Sequence, residues 1–271
     1  MRREAFHTPG PLTLDVRLPS GEIELEAVDG EETTIELDAT RDSDDVREVI
    51  ENARIELRQR GEGHEVVVDV QRKRFGLFFD FMRGDIILRV HAPHGADVEL
   101  STASADVDAR GRFGALKAQA ASGDLRFSEL GGRVDVKSAS GDVDLGTIGG
   151  EATINSASGD IRVDRVAGDA TIRSASGDVV VHEAGSSITV QTASGDQHVG
   201  SVAVGRVTMQ SASGDQHVGI RRGTSVFIDA KTMSGDTTSE LEIGDAPPDG
   251  EEATAELRAT SMSGDIRIVR A

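Results

Sequence analysis

The 271-residue sequence contains no cysteine, tryptophan or tyrosine, and only 8 phenylalanines. Without cysteine, neither a disulfide framework nor a thiolate metal site can form. With few aromatic side chains and 31 glycines, an extended solenoid with a core of small and branched residues is favoured over a wide aromatic core. No stretch approaches the roughly 20 apolar residues that span a bilayer. The first residues also lack the apolar run of a signal sequence. We therefore expect a cytoplasmic protein without a transmembrane segment, unless an export signal has been trimmed from the sequence.

Positive charge is scarce, since 29 Lys and Arg face 48 Asp and Glu, a formal net charge of -19. Phosphate contacts need a basic face, so we expect no nucleic-acid partner. The sequence also has no Gly-x-Ser-x-Gly elbow, phosphate-binding loop or cysteine nucleophile. We accordingly predict no enzymatic activity and no cofactor.

A short motif, Ala-Ser-Gly-Asp, recurs with a period of 18 residues. A fixed period of this length is typical of repeat architectures. Looser copies follow at Ser213, Ser234 and Ser263 after gaps of 19, 21 and 29 residues. The Ser-Gly-Asp part of the five regular copies is Ser122-Gly123-Asp124, Ser140-Gly141-Asp142, Ser158-Gly159-Asp160, Ser176-Gly177-Asp178 and Ser194-Gly195-Asp196.

Apolar and polar residues alternate after each motif, which predicts a short strand with one buried face. A second alternating strand precedes the next motif, so each repeat holds two strands and two corners. Like strands of successive repeats pair in parallel, about 4.8 Å apart. The predicted fold is an all-β, single-stranded parallel β-solenoid with the motif as one corner. Glycine pairs such as Gly131-Gly132 and Gly149-Gly150 are expected to supply positive φ at the other corner.

Residues 1–95 are rich in strand patterns but do not keep the period. We predict that they form an N-terminal β-rich cap region, continuous with solenoid repeats over residues 96–271. Ser20-Gly21-Glu22 resembles a divergent motif copy. Helical spacing from Asp44 to Ala53, behind Ser43 or Asp44 as N-cap, predicts one short helix. Such a region would cover the open end of a stack of repeats.

One segment combines basic and aromatic residues. A loop or hairpin whose phenylalanines plug the end of the core is one interpretation. A contact site for a partner protein or an anionic membrane surface is the other, because basic and apolar side chains act together there. The candidate contact residues are Arg72, Lys73, Arg74, Phe75, Phe78, Phe79 and Phe81.

The stacked motif aspartates are candidate ligands, because like charges about 5 Å apart repel. Either local backbone N–H groups satisfy each carboxylate or cations lie between the coils. Outward positions two residues later alternate in charge, as at Asp144 and Arg162, which predicts ion pairs between coils.

Two identical stretches, 194–200 and 213–219, place histidines and glutamines on adjacent coils. His198 and His217 could bind a metal, although repeat duplication also explains them. Gln197 and Gln216 take inward positions, so they are expected to hydrogen-bond to each other or to face a polar cavity.

The recurring Ser-Ala-Ser-Gly-Asp-Val-x-Val, the Gly-Gly corner and the lead-in from Val90 to Val98 resemble a bacterial family of β-strand-repeat proteins. These are domains of unknown function labelled putative adhesins, and the likeness begins near Phe6. The resemblance implies a β-solenoid without an established enzymatic activity and without catalytic residues.

The function that these patterns favour is a non-enzymatic scaffold or protein-interaction module. Little sequence follows the last motif at Ser263 to cover that end, so self-association through an exposed edge is expected. A polysaccharide-binding or polysaccharide-cleaving β-helix protein is one alternative, and a cation-stabilised surface adhesin is another.

Overall fold

Neighbouring coils of this chain hold each other through parallel strand pairing. The computed structural model describes residues 1–40, 43–70, 86–241 and 255–271. The contacts divide the chain into two units, Met1–Gly141 and Asp142–Ala271. Both are built from stacked parallel strands, and the predicted all-β parallel solenoid with an N-terminal cap and one helix is confirmed.

The first unit is organised by two 17-residue strands, each of which forms a full coil. β2 and β7 pair in parallel over most of their lengths, with Ser20 opposite Ser104, so Ser20-Gly21-Glu22 takes the place of a motif copy. β8 and β9 stack on the two halves of β7, and β10 stacks on β8. The elements of this unit are β1 (Arg2–His7), β2 (Leu12–Val28), β3 (Glu32–Ala39), α1 (Asp44–Asn52), β4 (Arg54–Arg60), β5 (Gly63–Asp69), β6 (Ile86–Pro93), β7 (Asp97–Phe113), β8 (Leu116–Ala120), β9 (Leu125–Leu130) and β10 (Val134–Ser138).

Antiparallel strands and the helix form the N-terminal cap. β1 pairs with β3 and β3 with β6, while β4 and β5 make a hairpin. The Ser43 side chain accepts a hydrogen bond from Val46 N and caps the start of α1. The guanidinium of Arg2 donates to the carbonyls of Ile50 and Ala53 at 3.2 and 2.6 Å, which satisfies orphan groups at the helix end. The boundary between residues 95 and 96 stays a prediction.

The second unit consists of two stacks of parallel strands. One stack runs β11–β13–β15–β17–β19–β23–β21, and the other runs β12–β14–β16–β18–β22–β20. The strands are β11 (Val143–Ile148), β12 (Ala152–Ser156), β13 (Ile161–Val166), β14 (Ala170–Ser176), β15 (Val179–Ala184), β16 (Ile188–Ser194), β17 (Gln197–Val202), β18 (Gly205–Ser213), β19 (Gln216–Ile220), β20 (Val226–Thr232), β21 (Thr237–Ser239), β22 (Ala255–Ser263) and β23 (Ile266–Arg270).

The last coils do not stack in sequence order, contrary to the expectation that the motif at Ser263 ends the solenoid. β22 lies between β18 and β20, and β23 lies between β19 and β21. Ser263 therefore sits opposite Ser213 although 50 residues separate them. The motif pattern matches every coil equally, so it does not specify the order in which coils stack. The coil formed by β20 and β21 is the terminal one.

The core is a narrow stack of branched side chains. Inward residues after the motif, such as Ile161 and Val163, are at most 1% exposed, as are their counterparts Val179 and Val181. Each such layer removes apolar surface from water on every coil, which stabilises the stack by roughly 25 cal/mol per Å² buried.

The motif glycine forms the tight corner. Gly177 has φ +108°, and a Cβ at this position would collide with the Gly159 carbonyl oxygen of the preceding coil. Positive φ was expected instead at Gly131-Gly132 and Gly149-Gly150, and this expectation is wrong because none of these four adopts it. Gly132 is required for space, since a Cβ there would lie 2.8 Å from Ala115 N.

The motif aspartates form a ladder of hydrogen bonds between coils. Asp160 Oδ1 accepts Asp178 N at 3.0 Å, and Asp178 Oδ1 accepts Asp196 N at 2.9 Å. The pattern passes through Asp215 and Asp265 to Asp236 in the terminal coil. The Oδ1 atoms of Asp160, Asp178, Asp196, Asp215 and Asp265 thus each accept a backbone N–H group from the next coil.

The arginines two residues after a motif aspartate, Arg126 and Arg162, pair with that aspartate of their own coil. Arg162 Nη2 lies 3.1 Å from Asp160 Oδ2, two residues earlier on the same face. Arg126 makes the same contact with Asp124 at 3.0 Å. The predicted pairing of Arg162 with its register partner Asp144 is therefore wrong, because the motif carboxylate lies within easier reach along the same strand.

We expect Gly177→Ala to lower the free energy of unfolding by roughly 3 kcal/mol, since strain at positive φ adds to the backbone collision. Gly223→Ala is the matched control, because Gly223 has φ +83° with open space around it and should cost only about 1–2 kcal/mol. Urea denaturation followed by circular dichroism measures both. Equal losses would contradict the role of close coil stacking.

We expect Asp178→Ala to destabilise the protein by about 1 kcal/mol, because Asp196 N loses its acceptor. Asp178→Asn should stay near wild type, since the amide oxygen can still accept this bond. Thermal melts of the two variants measure the difference. If calcium raises and a chelator lowers the wild-type melting temperature, with Asp178→Asn insensitive to both, a cation and not the N–H group holds the ladder.

Candidate interaction surface

The terminal coil leaves one face of its strands without a neighbour. Among the strands that the structure describes, β20 pairs with β22 alone and β21 with β23 alone. Ile228 and Ala230 stand over the buried Leu257 and Ala259, but they are only half-buried because none of the described strands covers them. This apolar strand, Val226–Thr232, is called the β20 edge below.

The hydrogen bonds at both ends of β20 fix which backbone groups face outward. Ser225 O accepts Ala255 N at 3.0 Å, and Met233 N donates to Ser261 O at 3.2 Å. Alternate residues of a parallel strand bond to the same neighbour. The odd-numbered residues between them therefore face β22, and Ile228 and Ala230 direct their N–H and C=O groups to the open side.

Side chains around the edge are apolar on β20 and polar on β21. Phe227 is 60% exposed and Met233 is 86% exposed. On β21, the inward positions carry Thr237 and Ser239 instead of branched apolar residues. Hydroxyl side chains tolerate water at the end of a repeat stack. The apolar β20 edge therefore favours association with another surface more than β21 does.

The edge strands of the first unit differ from it in charge. β1 begins with Arg2-Arg3-Glu4, and β4 reads Arg-Ile-Glu-Leu-Arg-Gln-Arg. Their charges are engaged in ion pairs, for example Arg54 with Glu56 at 2.7 Å and Arg3 with Glu36 at 3.3 Å. Charged side chains on an edge oppose strand addition. The β20 edge has only Asp229 and Lys231, which pair with each other at 2.8 Å.

The other predicted sites fall in different places. The basic and aromatic residues Arg72, Lys73, Arg74, Phe75, Phe78, Phe79 and Phe81 lie outside the described residues. Within the described part of the chain, no group of three or more His, Cys, Asp or Glu residues could hold a metal ion.

His198 and His217 face each other on adjacent coils. Their ring centroids are 4.6 Å apart in an edge-to-face arrangement. Burial lowers the pKa of His198, and the neighbouring His217 and His182 add to the shift. The shift favours a neutral His198 imidazole packed against the His217 ring.

Gln197 and Gln216 are buried at their inward positions, each 1% exposed. They do not bond to each other, contrary to the first of the two expectations. Their amide nitrogens donate instead to Gln210 O and Thr260 O at 2.7 and 3.1 Å. Because backbone carbonyls of the next coil accept both amides, the N–H groups that a side-chain ladder would need are already engaged.

A shallow cleft of about 360 Å³ lies on the outer face of the first unit. Arg60 bridges its rim by binding Glu99 at 3.0 Å and Glu65 at 3.1 Å. Three cationic and three anionic side chains line it in near balance: Arg60, Lys117, Arg133, Asp97, Glu99 and Asp135. Neither sign of charge dominates, so the cleft offers no selective charge for a ligand.

Sequence reasoning missed the β20 edge because it placed the open edge at the C-terminus. The available signal was spacing, since the gap of 29 residues between Ser234 and Ser263 breaks the period more than any other. Such a gap leaves enough chain for a strand to return and insert between earlier coils.

No helix in the described part of the chain is long and apolar enough to cross a membrane. No curated protein matches the chain in sequence.

Solved structures provide distant likenesses. The chain is similar to a putative adhesin from Parabacteroides merdae, with 11% identity over 98% of this chain and 95% of the other, at a TM-score of 0.43. It is similar to another from Parabacteroides distasonis, with 10% identity over 98% and 96%, at a TM-score of 0.39. A putative cell adhesion protein from Clostridium sporogenes shares 9% identity over 100% and 99%, at a TM-score of 0.30.

The sequence profile of one family covers nearly the whole chain, from residue 12 to residue 269. The match includes the long strand β2, all the regular motif copies, the inserted strand β22 and all but the last residue of β23. The chain therefore belongs to the Toastrack DUF4097 family.

Proposed function

We propose that the chain is a non-enzymatic β-solenoid interaction module that associates with a second copy of itself through the β20 edge. The observation that supports this most directly is an apolar strand whose outward backbone groups at Ile228 and Ala230 have no partner in the described part of the chain. Such an edge is a ready template for strand addition. The cytoplasmic location and the lack of enzymatic activity stay predictions.

A head-to-head arrangement suits the distribution of charge better than a head-to-tail chain. In a head-to-tail assembly, the β20 edge would have to pair with a charged edge such as β1 or β4. In a two-fold arrangement, the same strand of both copies pairs antiparallel, and the half-buried Ile228 and exposed Phe227 of each are covered. Closed symmetry also limits the assembly to two copies.

The aspartate ladder favours a structural role over acid–base chemistry. The Oδ1 atoms of Asp160, Asp178 and Asp196 each accept a backbone N–H. A polysaccharide-cleaving site needs two carboxyl groups with different protonation states flanking one bond. A ladder of equivalent, engaged carboxylates does not supply that asymmetry.

We expect wild-type protein to dimerise reversibly and Ala230→Pro to weaken the dimer by at least about tenfold, or 1.4 kcal/mol. Proline removes an outward N–H but no bond to β22, and proline is tolerated at such an edge position. Sedimentation equilibrium over a range of protein concentrations measures the dissociation constant.

Ala230→Ser is the matched control, since it keeps the N–H group at the same position and should dimerise like wild type. Val204→Ser removes an apolar side chain that is 47% exposed but lies outside the β20 edge, and it should also leave the dimer intact. A strictly monomeric wild type, or an Ala230→Pro dimer as tight as wild type, would refute the proposal.

We also expect added sodium chloride to strengthen the dimer. Two copies with a formal net charge of -19 each repel one another, and salt screens that repulsion beyond about 10 Å at 0.1 M. The same sedimentation measurement at low and high salt gives the trend. A dimer that weakens with salt would indicate ion pairs, not strand pairing, as the contact.

A further inference from the structure

Two buried glutamines interrupt the apolar column inside the second unit. Gln197 pairs in register with Val179 on one side and Gln216 pairs with Ile266 on the other. The two glutamines are register partners of each other. Both side chains are 1% exposed, so the core of these two coils holds polar groups where adjacent coils hold only hydrocarbon.

The amide orientation of both side chains is fixed by their donors. Gln197 Nε2 donates to Gln210 O at 2.7 Å and to Thr192 Oγ1 at 2.8 Å. Gln216 Nε2 donates to Thr260 O at 3.1 Å. Turning either amide around would set its oxygen against a carbonyl oxygen, which has no hydrogen to donate.

The two amides consequently point the same way, one coil apart. Gln210 and Thr260, which receive their N–H groups, are themselves register partners in β18 and β22. The two Oε1 atoms therefore also stand above one another, separated by roughly the 4.8 Å spacing of paired strands.

Both Oε1 atoms are buried and have no hydrogen-bond partner within the described part of the chain. A buried amide oxygen without a donor is strongly disfavoured, because it has given up its bonds to water. A single hydrogen-bond donor group located between the two Oε1 atoms would satisfy both of them.

We propose that one buried water molecule bridges Gln197 Oε1 and Gln216 Oε1, donating one hydrogen to each. A water that donates at about 2.8 Å to two acceptors spans oxygens about 4.5 Å apart, close to the coil spacing of roughly 4.8 Å. Buried waters commonly satisfy polar groups of this kind. A divalent cation fits less well, since calcium and magnesium take six or more oxygen ligands.

A high-resolution crystal structure of the full chain tests the site directly. The expected result is one spherical density peak within hydrogen-bond distance of both Oε1 atoms. Oxygen-17 magnetic relaxation dispersion in solution should count one more long-lived water in wild type than in the double variant Gln197→Val, Gln216→Ile. These replacements are the residues that adjacent coils carry at the same inward position, so the stack is expected to fold.

Gln119→Val is the control, because it removes an exposed amide of β8, away from these two coils, and should leave the water count unchanged. The absence of an electron-density peak between the two Oε1 atoms would overturn the proposal. Equal counts of long-lived water in wild type and the double variant would overturn it as well. A peak that gains anomalous signal on soaking with rubidium would overturn it as well, by identifying a monovalent cation. If the double variant does not fold, the wild-type density alone decides.

Discussion

The structure depends on the close, in-register contact of one motif corner with the corner before it. At Gly177 the chain approaches the Gly159 carbonyl so closely that no side chain fits. Beside it, Asp178 N bonds to the carboxylate of Asp160. The glycine permits the approach and the aspartate satisfies the N–H group that the corner leaves outside the strand ladder. Together they explain why Ser-Gly-Asp recurs without requiring it to be a catalytic site.

A stack held in this way has no intrinsic end. Every coil satisfies the backbone groups of its neighbour, so the last coil must leave a row unpaired. In the first unit, antiparallel strands, a helix and charged edge residues close the stack. In the second unit, the terminal coil has polar Thr237 and Ser239 on β21 but apolar Ile228 on β20. Only half of this coil is adapted to water, and the other half is where association would remove apolar surface from solvent.

Much of this could be predicted from sequence because the determinants are local. Alternation identified the inward positions, the spacing behind Ser43 identified the helix, and Ser20-Gly21-Glu22 was identified as a motif copy. The ion-pair and hydrogen-bond partners of individual side chains could not be predicted as well. Arg162 had two carboxylates within plausible reach, and only the side-chain path along its own strand selects Asp160 over Asp144. For the buried glutamines, the sequence indicated a polar interior but not which backbone carbonyls would receive their amides.

The order of the final coils shows what the motif does and does not specify. β22 fits between β18 and β20 with matching register on both sides, although it follows both strands in the chain. The stacking order therefore depends on the Ser-Gly-Asp motif at the corner and the alternating apolar residues in the core. It does not depend on how close two coils are along the sequence. A strand with the right alternation can complete an edge wherever the chain allows it to arrive. The β20 edge is such an edge, because none of the described strands pairs with its outer side. A strand from another copy of the protein can pair with it as well as a strand from the same chain.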